Sequence, residues 1–231
     1  MNPDIDIPIH PSIPINVTLE MNLRKNSIAI PKKLTPPLAY FVGLLRDGNL
    51  SRAKRSYKVR IYQKDQAFLE NVVNRISQDL FNKKVKIMKS GEDFVWQVDS
   101  KPLFLFFTKV FEYPPNKTQK WWGTPRLILE APPEIQKWYI AGFVDAEGSI
   151  CLEDGKPVIY VYHSWNNQTE CPPLSDLKLM LNKLGINSNG PYLYKHSNNA
   201  FRLRIRNKNA LTFLQTIPLV RKTYLSPIKR A

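Results

Sequence analysis

The segment Ile140-Ala141-Gly142-Phe143-Val144-Asp145-Ala146-Glu147-Gly148 decides how the rest of the chain is read. Ala141 and Gly142 are adjacent and small, so a helix carrying them can approach a second helix backbone closely. Asp145 and Glu147 are two residues apart, about 200° around an α-helix, and cannot both face one centre. Gly148 suits the left-handed position that ends a helix. A carboxylate in the last turn opposes the helix dipole by about 0.3–1 kcal/mol, so stability alone would place a lysine there. A solvated acid ahead of a glycine cap is the plain reading of one such site. A cation-binding acid is the other.

A second copy of the pattern favours the latter. Tyr40-Phe41-Val42-Gly43-Leu44-Leu45-Arg46-Asp47-Gly48 also ends on an acid and a glycine. Paired prolines open both stretches, Pro36-Pro37 and Pro132-Pro133, where a missing N–H costs nothing at a helix start. Thr35 is placed to cap the first. The acids lie 147 − 47 = 100 residues apart and the prolines 132 − 36 = 96 apart, so the second helix should be longer by four residues, about one turn. Val98–Leu103 and Ile205–Ala210 form a third matching pair. Two carboxylates on neighbouring helix ends would repel each other, and a divalent cation between them would relieve both that repulsion and the dipole penalty.

Around these landmarks the apolar period changes to two. Val59 and Ile61 alternate with Lys58, Arg60 and Tyr62, and Phe201, Leu203 and Ile205 alternate with Arg202, Arg204 and Arg206, as in strands with one buried and one wet face. Val85–Ile87, Phe94–Val98 and Tyr192–Lys195 read as further strands; Gln66–Phe81 and Leu174–Leu184 read as amphipathic helices. The expected architecture is α+β: two pseudo-symmetric αββαββα repeats, 34–130 and 131–231, each with an antiparallel sheet forming half of a saddle. Residues 1–33, where isoleucine alternates with proline, aspartate and histidine, form an extended proline-rich arm, either lying on the body or disordered.

The nine residues 140–148 resemble the signature of the LAGLIDADG homing endonucleases, with residues 40–48 as a weaker partner. Two motifs about 100 residues apart are similar to the single-chain, two-motif form of that family, over residues 34 to about 225. The resemblance implies that Asp47 and Glu147 are the catalytic metal ligands, and that the backbone carbonyls of Arg46 and Ala146 are further metal contacts. It leaves Asp145 a structural role. It implies two to three Mg2+ or Mn2+ ions shared between the motifs, with one DNA strand cut by each side across the minor groove. Gln63, 63 − 47 = 16 residues after its acid, resembles the family's strand-end glutamine that positions water. His163, 163 − 147 = 16 residues after the other acid, is a neutral counterpart. Lys117 and Lys222, each before a threonine, match the basic residue that steadies the cleaved phosphate. The first motif departs from the pattern: Val42 stands where Gly142 aligns, Gly43 comes one residue late, and Phe41 and Arg46 replace small residues. Neighbouring helix residues point about 100° apart, so Arg46 is expected to grip a phosphate rather than Asp47.

The charge balance agrees with a polyanionic partner. The 231 residues hold 34 Lys and Arg against 19 Asp and Glu, a net +15 with pI near 9.8. Seven basic residues and one acid fall between Arg46 and Lys64, and nine and none from Lys195 onward. Double-stranded DNA is the expected partner, with Lys58, Arg60, Tyr62, Lys86, Gln97, Arg202, Arg204 and Arg206 facing it from strands. Arg52, Lys54 and Arg55 would touch phosphates from a loop. The two cysteines, Cys151 and Cys171, form no zinc or disulfide framework. No apolar run reaches the roughly 20 residues that cross a bilayer, and no signal peptide opens the chain, which favours the cytoplasm or the interior of an organelle that encodes the protein. The resemblance implies a monomeric, site-specific endonuclease, the product of a free-standing intron reading frame, that breaks both strands of a long asymmetric target. The rivals are an RNA maturase that binds intron RNA and a DNA-binding regulator weakened in catalysis.

Overall fold

A computed structural model describes residues 7–15, 28–194 and 199–221. The elements run β1 (Ile13–Pro14), β2 (Lys33–Leu34), α1 (Pro36–Leu44), a 3₁₀ turn (Leu45–Asp47), β3 (Gly48–Ala53) and β4 (Ser56–Gln63). One continuous helix follows, made of α2 (Gln66–Phe68), a π-helical stretch (Leu69–Val73) and α3 (Asn74–Phe81). The first half closes with β5 (Met88–Ser90), β6 (Asp93–Asp99) and α4 (Lys101–Val110). A connection with a 3₁₀ turn (Gln119–Trp121) and α5 (Arg126–Leu129) leads to the second half. There stand α6 (Pro133–Glu147), β7 (Gly148–Glu153), β8 (Lys156–Ser164), α7 (Pro172–Lys183), β9 (Asn189–Leu193), β10 (Ala200–Arg206) and α8 (Lys208–Thr216).

Each half is therefore αββαββα, as expected. Two four-stranded antiparallel sheets result, ordered β3-β4-β6-β5 and β7-β8-β10-β9. Their registers match residue for residue: Gly48 pairs with Ile61 as Gly148 pairs with Val161, and Arg60 pairs with Gln97 as Tyr160 pairs with Arg204. Val59, Ile61, Leu203 and Ile205 are wholly buried, and their strand neighbours Lys58, Arg60, Arg202 and Arg204 are half-buried on the opposite face. The period-two alternation thus fixed which face joins the core.

Several local expectations need correction. β5 begins three residues after Val85, because the Asn74 side-chain amide occupies both hydrogen-bonding groups of the Val85 backbone, at 2.9 and 3.0 Å, and leaves it nothing for a ladder. Lys86 is therefore exposed in a connection, not on a strand. β9 likewise starts earlier than expected, at Asn189. Thr35 caps α1 through its backbone alone, its carbonyl accepting from Ala39 at 2.8 Å, with no side-chain bond. Neither Gly48 (φ −143°) nor Gly148 (φ −96°) is left-handed. They are glycines for space: a Cβ on Gly48 would lie 2.4 Å from the Arg60 carbonyl, and one on Gly148 2.4 Å from that of Val144. In the arm, β1 pairs antiparallel with β2, and Ile7, Ile13, Ile15, Ile28 and Ile30 pack against the core. Among the described residues no helix is long and apolar enough to cross a membrane.

Candidate active site

Helices α1 and α6 meet at the centre of the molecule through glycine. A Cβ on Gly142 would stand 2.1 Å from the Tyr40 carbonyl, and one on Gly43 2.4 Å from that of Tyr139. Backbone touches backbone, so no other residue fits either position. This makes Gly43, not Val42, the partner of Gly142. The glycine-to-acid count then differs, 147 − 142 = 5 against 47 − 43 = 4. One residue short on an α-helix is about 100° short in direction. The 3₁₀ turn Leu45–Asp47 winds at about 120° per residue and recovers about 60° of that. The irregular end of the first motif is how a chain missing one residue still brings Asp47 round toward Glu147.

Both acids keep some exposure, yet little water surrounds them. Burial, with the charge of Asp93 second, pushes the Asp47 carboxyl up to about 7, against a smaller opposing pull from Arg221. Burial, then the charge of Asp47, pushes Glu147 up to about 8, offset in part by Arg46. Each carboxyl is thus held toward its protonated form chiefly by burial, with an acid charge adding to it, that of Asp93 at Asp47 and that of Asp47 at Glu147. Gln63 Nε2 donates to Asp47 Oδ2 at 2.8 Å, so the strand-end glutamine is on its acid. His163 occupies the matching position in the second half. It is buried edge-on against Phe143 at 5.5 Å, and burial together with the Arg46 charge holds it neutral. Among the described residues no hydrogen bond joins it to Glu147. The two halves therefore carry unlike groups beside their acids.

Asp145 faces away from this pair. It is wholly buried and accepts from the Tyr40 hydroxyl at 2.7 Å and from the backbone N–H of Val220 and Arg221 at 2.9 and 3.1 Å. It joins the first helix, the second helix and the end of the described chain.

Arg46 overturns the expectation of a phosphate contact. Its side chain has no exposed surface. It donates to the carbonyls of Trp122 and Gly123 at 2.6 and 2.9 Å and to the Tyr139 hydroxyl at 2.7 and 3.1 Å, with its guanidinium 4.2 Å over the Trp122 ring. It reaches from the first motif into the connection and the second helix. A DNA phosphate cannot touch it, and Asp47 is not among its hydrogen-bond partners.

Lys117 is exposed, its ammonium 4.6 Å over the ring of Trp121. The neighbouring Thr118 bridges to Asn49, two residues past Asp47, so this segment lies along the start of β3 beside the acids. Lys222 lies outside the described residues.

The solvent faces of the two sheets differ. On the first, Arg60 donates to Gln97 (2.7 Å), Asn49 (3.2 Å) and Ser51 (3.1 Å), all neutral acceptors. Arg52 lies 5.3 Å over Tyr57, and Lys54 and Arg55 form the exposed β3–β4 turn, Lys54 at φ 48°. On the second, Arg202 lies over Tyr160 and Tyr194 at 4.9 and 5.5 Å. Arg204 Nη2 donates to Glu153 Oε2, and the Tyr160 hydroxyl donates to Glu153 Oε1. Arg206 is exposed, and Tyr62 and Gln97 are half-exposed. Glu153 and Asp93 were missed in the sequence. An acid on the wet face of a strand in a strongly basic protein is the signal that would have found Glu153.

The donor set fits a divalent cation. Among the described residues no three His, Cys, Asp or Glu gather at one point. Magnesium needs no such cage, since one or two carboxylates complete its shell together with water and substrate phosphate. Asp47 and Glu147 could supply those two, and a cation would offset the burial that raises the proton affinity of both.

Comparison with known proteins agrees with this fold. A family model described as a LAGLIDADG-like domain matches residues 134–218. The homing endonuclease I-ApeI of Aeropyrum pernix is 34% identical over 172 residues, covering 73% of this chain and 74% of that protein. The structure of I-DmoI in complex with DNA and calcium superposes with a TM-score of 0.63 at 20% identity, over 85% of this chain and 98% of the other. The N-terminal LAGLIDADG domain of DUF199/WhiA shares the fold at a TM-score of 0.54 and 16% identity, over 84% and 86% of the two chains.

Proposed function

The chain belongs to the LAGLIDADG family of homing endonucleases, and from that premise we propose that it is a site-specific endonuclease making metal-dependent double-strand breaks in a long, asymmetric DNA target. The observation that carries this is the pair of acids, Asp47 and Glu147, on two helix ends locked together by glycine. An RNA-folding maturase or a DNA-binding regulator needs neither acid.

Asp47 and Glu147 would hold Mg2+ or Mn2+, with the Arg46 and Ala146 carbonyls as further contacts. The ions would supply a water acidic enough to lose a proton to solvent and attack phosphorus as hydroxide, and charge to stabilise the departing oxygen. The residues of the chain do the rest. Gln63, bonded to Asp47, would orient that carboxylate and help position the attacking water. Lys117, beside Thr118 that bridges to β3, would neutralise charge building on the scissile phosphate. Each acid serves one strand. Arg52, Lys54 and Arg55 grip phosphates, while Arg60, Gln97, Arg202 and Arg204 face base edges.

The test is a duplex selected by the protein from a randomised pool in calcium, then incubated with magnesium. Glu147→Gln and Asp47→Asn should stop double-strand cleavage while affinity for the selected duplex stays within about threefold, because the sheets make those contacts. Normal double-strand cleavage by Glu147→Gln would overturn the assignment.

A further inference from the structure

The two sheets solve one problem in two ways. Each carries a guanidinium on the same central pair of positions, where Arg60 faces Gln97 on the first sheet and Tyr160 faces Arg204 on the second. A guanidinium beside DNA is pulled toward phosphates, which carry the charge. It reads a base only if something holds its fork toward the groove. On the first sheet three neutral acceptors hold Arg60. On the second, the acceptor is a carboxylate.

Glu153 is an anion on a face that should meet a polyanion, and repulsion argues against it unless it has work to do. Both its oxygens are occupied, one by Arg204 and the other by the Tyr160 hydroxyl. Tyr160 thereby fixes the carboxylate from the strand between the two residues. The matching position on the first sheet is Ala53, so the acid belongs to the second half alone. Arg202, on the same strand as Arg204, lies over tyrosine rings. A guanidinium offers five N–H donors, so the single bond from Nη2 to Glu153 leaves Arg204 terminal N–H groups for a ligand, while its Nε is buried. A quarter of the Arg204 side chain is open to solvent, 25%.

We propose that Glu153 is a specificity-determining residue. Held by Tyr160, it keeps the Arg204 guanidinium off the phosphate backbone and aimed at the edge of one base pair, with guanine the base whose paired acceptors fit that fork. The proposal rests on the reading that the sheet faces meet DNA. Without its carboxylate, Arg204 would behave as an ordinary phosphate contact, gaining charge attraction and losing discrimination.

The test uses the full-length protein in calcium and duplexes selected from a randomised pool, sequenced after binding, with thermal melting to confirm that each variant is folded. Arg204→Ala should erase the preference at one base pair. Glu153→Gln should lower discrimination at that same base pair about tenfold. It should also tighten binding to random-sequence duplex at low salt and steepen the log–log salt slope by about 0.9, the signature of one added phosphate contact. The double variant should lose no more at that base pair than Arg204→Ala alone. If Glu153→Gln keeps the wild-type preference where Arg204→Ala loses it, the role of Glu153 is overturned while the DNA-facing reading stands. If the wild-type protein enriches no sequence, both fall together.

Discussion

At the scale of single residues, the acids are costly to the protein that carries them. A carboxyl whose folded pKa lies above its unfolded one holds a proton in the folded state that the unfolded chain releases. The contribution of Asp47 and Glu147 therefore turns unfavourable as pH rises from about 4 through about 8, and stays so above. In metal-free buffer at pH 9, Asp47→Asn should raise stability by about 2 kcal/mol, allowing for the water that still reaches Asp47. The gain should vanish near pH 4, which paired thermal melts would show; an equal gain at both pH values would remove the charge explanation. Arg46 runs the other way. Arg46→Ala would strand two carbonyls and empty a wholly buried site, and should destabilise the fold by about 3 kcal/mol in urea denaturation. Its effect on the salt dependence of DNA binding should be nil. A flattened salt slope would return Arg46 to the DNA surface.

At the scale of elements, the glycine crossing governs whether two helix ends can share one task. Gly142→Ala drives a methyl into the Tyr40 carbonyl, so α1 and α6 must separate. A misplacement of about 1 Å can cost about 100-fold in rate. Nicking of both strands should fall together by that order, measured with each strand labelled separately, while the sheets keep their DNA affinity. Loss on one strand alone would mean that the crossing does not set both acids. Much of this level was legible in the sequence. Paired prolines marked the helix starts, and alternation at Val59, Ile61, Leu203 and Ile205 marked the buried strand faces. What was not legible depends on contacts distant in sequence. Asn74 takes the Val85 backbone out of the sheet, and a 3₁₀ turn makes up for the residue missing between Gly43 and Asp47. Arg46 is a polar letter in a basic stretch until Trp122, Gly123 and Tyr139 close over it. No pattern within residues 40–48 encodes that enclosure.

At the scale of the whole molecule, charge and symmetry were readable, and the unlikeness of the halves was not. A net +15 on 231 residues and two basic sheet faces should make binding depend steeply on salt. With roughly eight phosphates neutralised, log affinity should fall against log salt with a slope of about −7, measured by fluorescence anisotropy. A slope near −2 would mean that the sheet faces are not the footprint. The repeat spacing foretold two copies of one unit, but copies that have diverged answer to their neighbours. Gln63 bonds its acid while His163 packs on Phe143, and Gln97 serves Arg60 where Arg204 leans on Glu153.

Trp121 gives the molecule an optical reporter. Of five tryptophans, Trp96, Trp122 and Trp138 are buried and Trp165 is half-buried, whereas Trp121 is 46% exposed beneath the Lys117 ammonium. Its emission is thus the most open of the five to a dissolved quencher and the most sensitive to a charge moving past its ring. The segment that carries it runs beside the acids, so a spectrometer watching native fluorescence would follow events there without a label, against a background of which three indoles are sealed in the core.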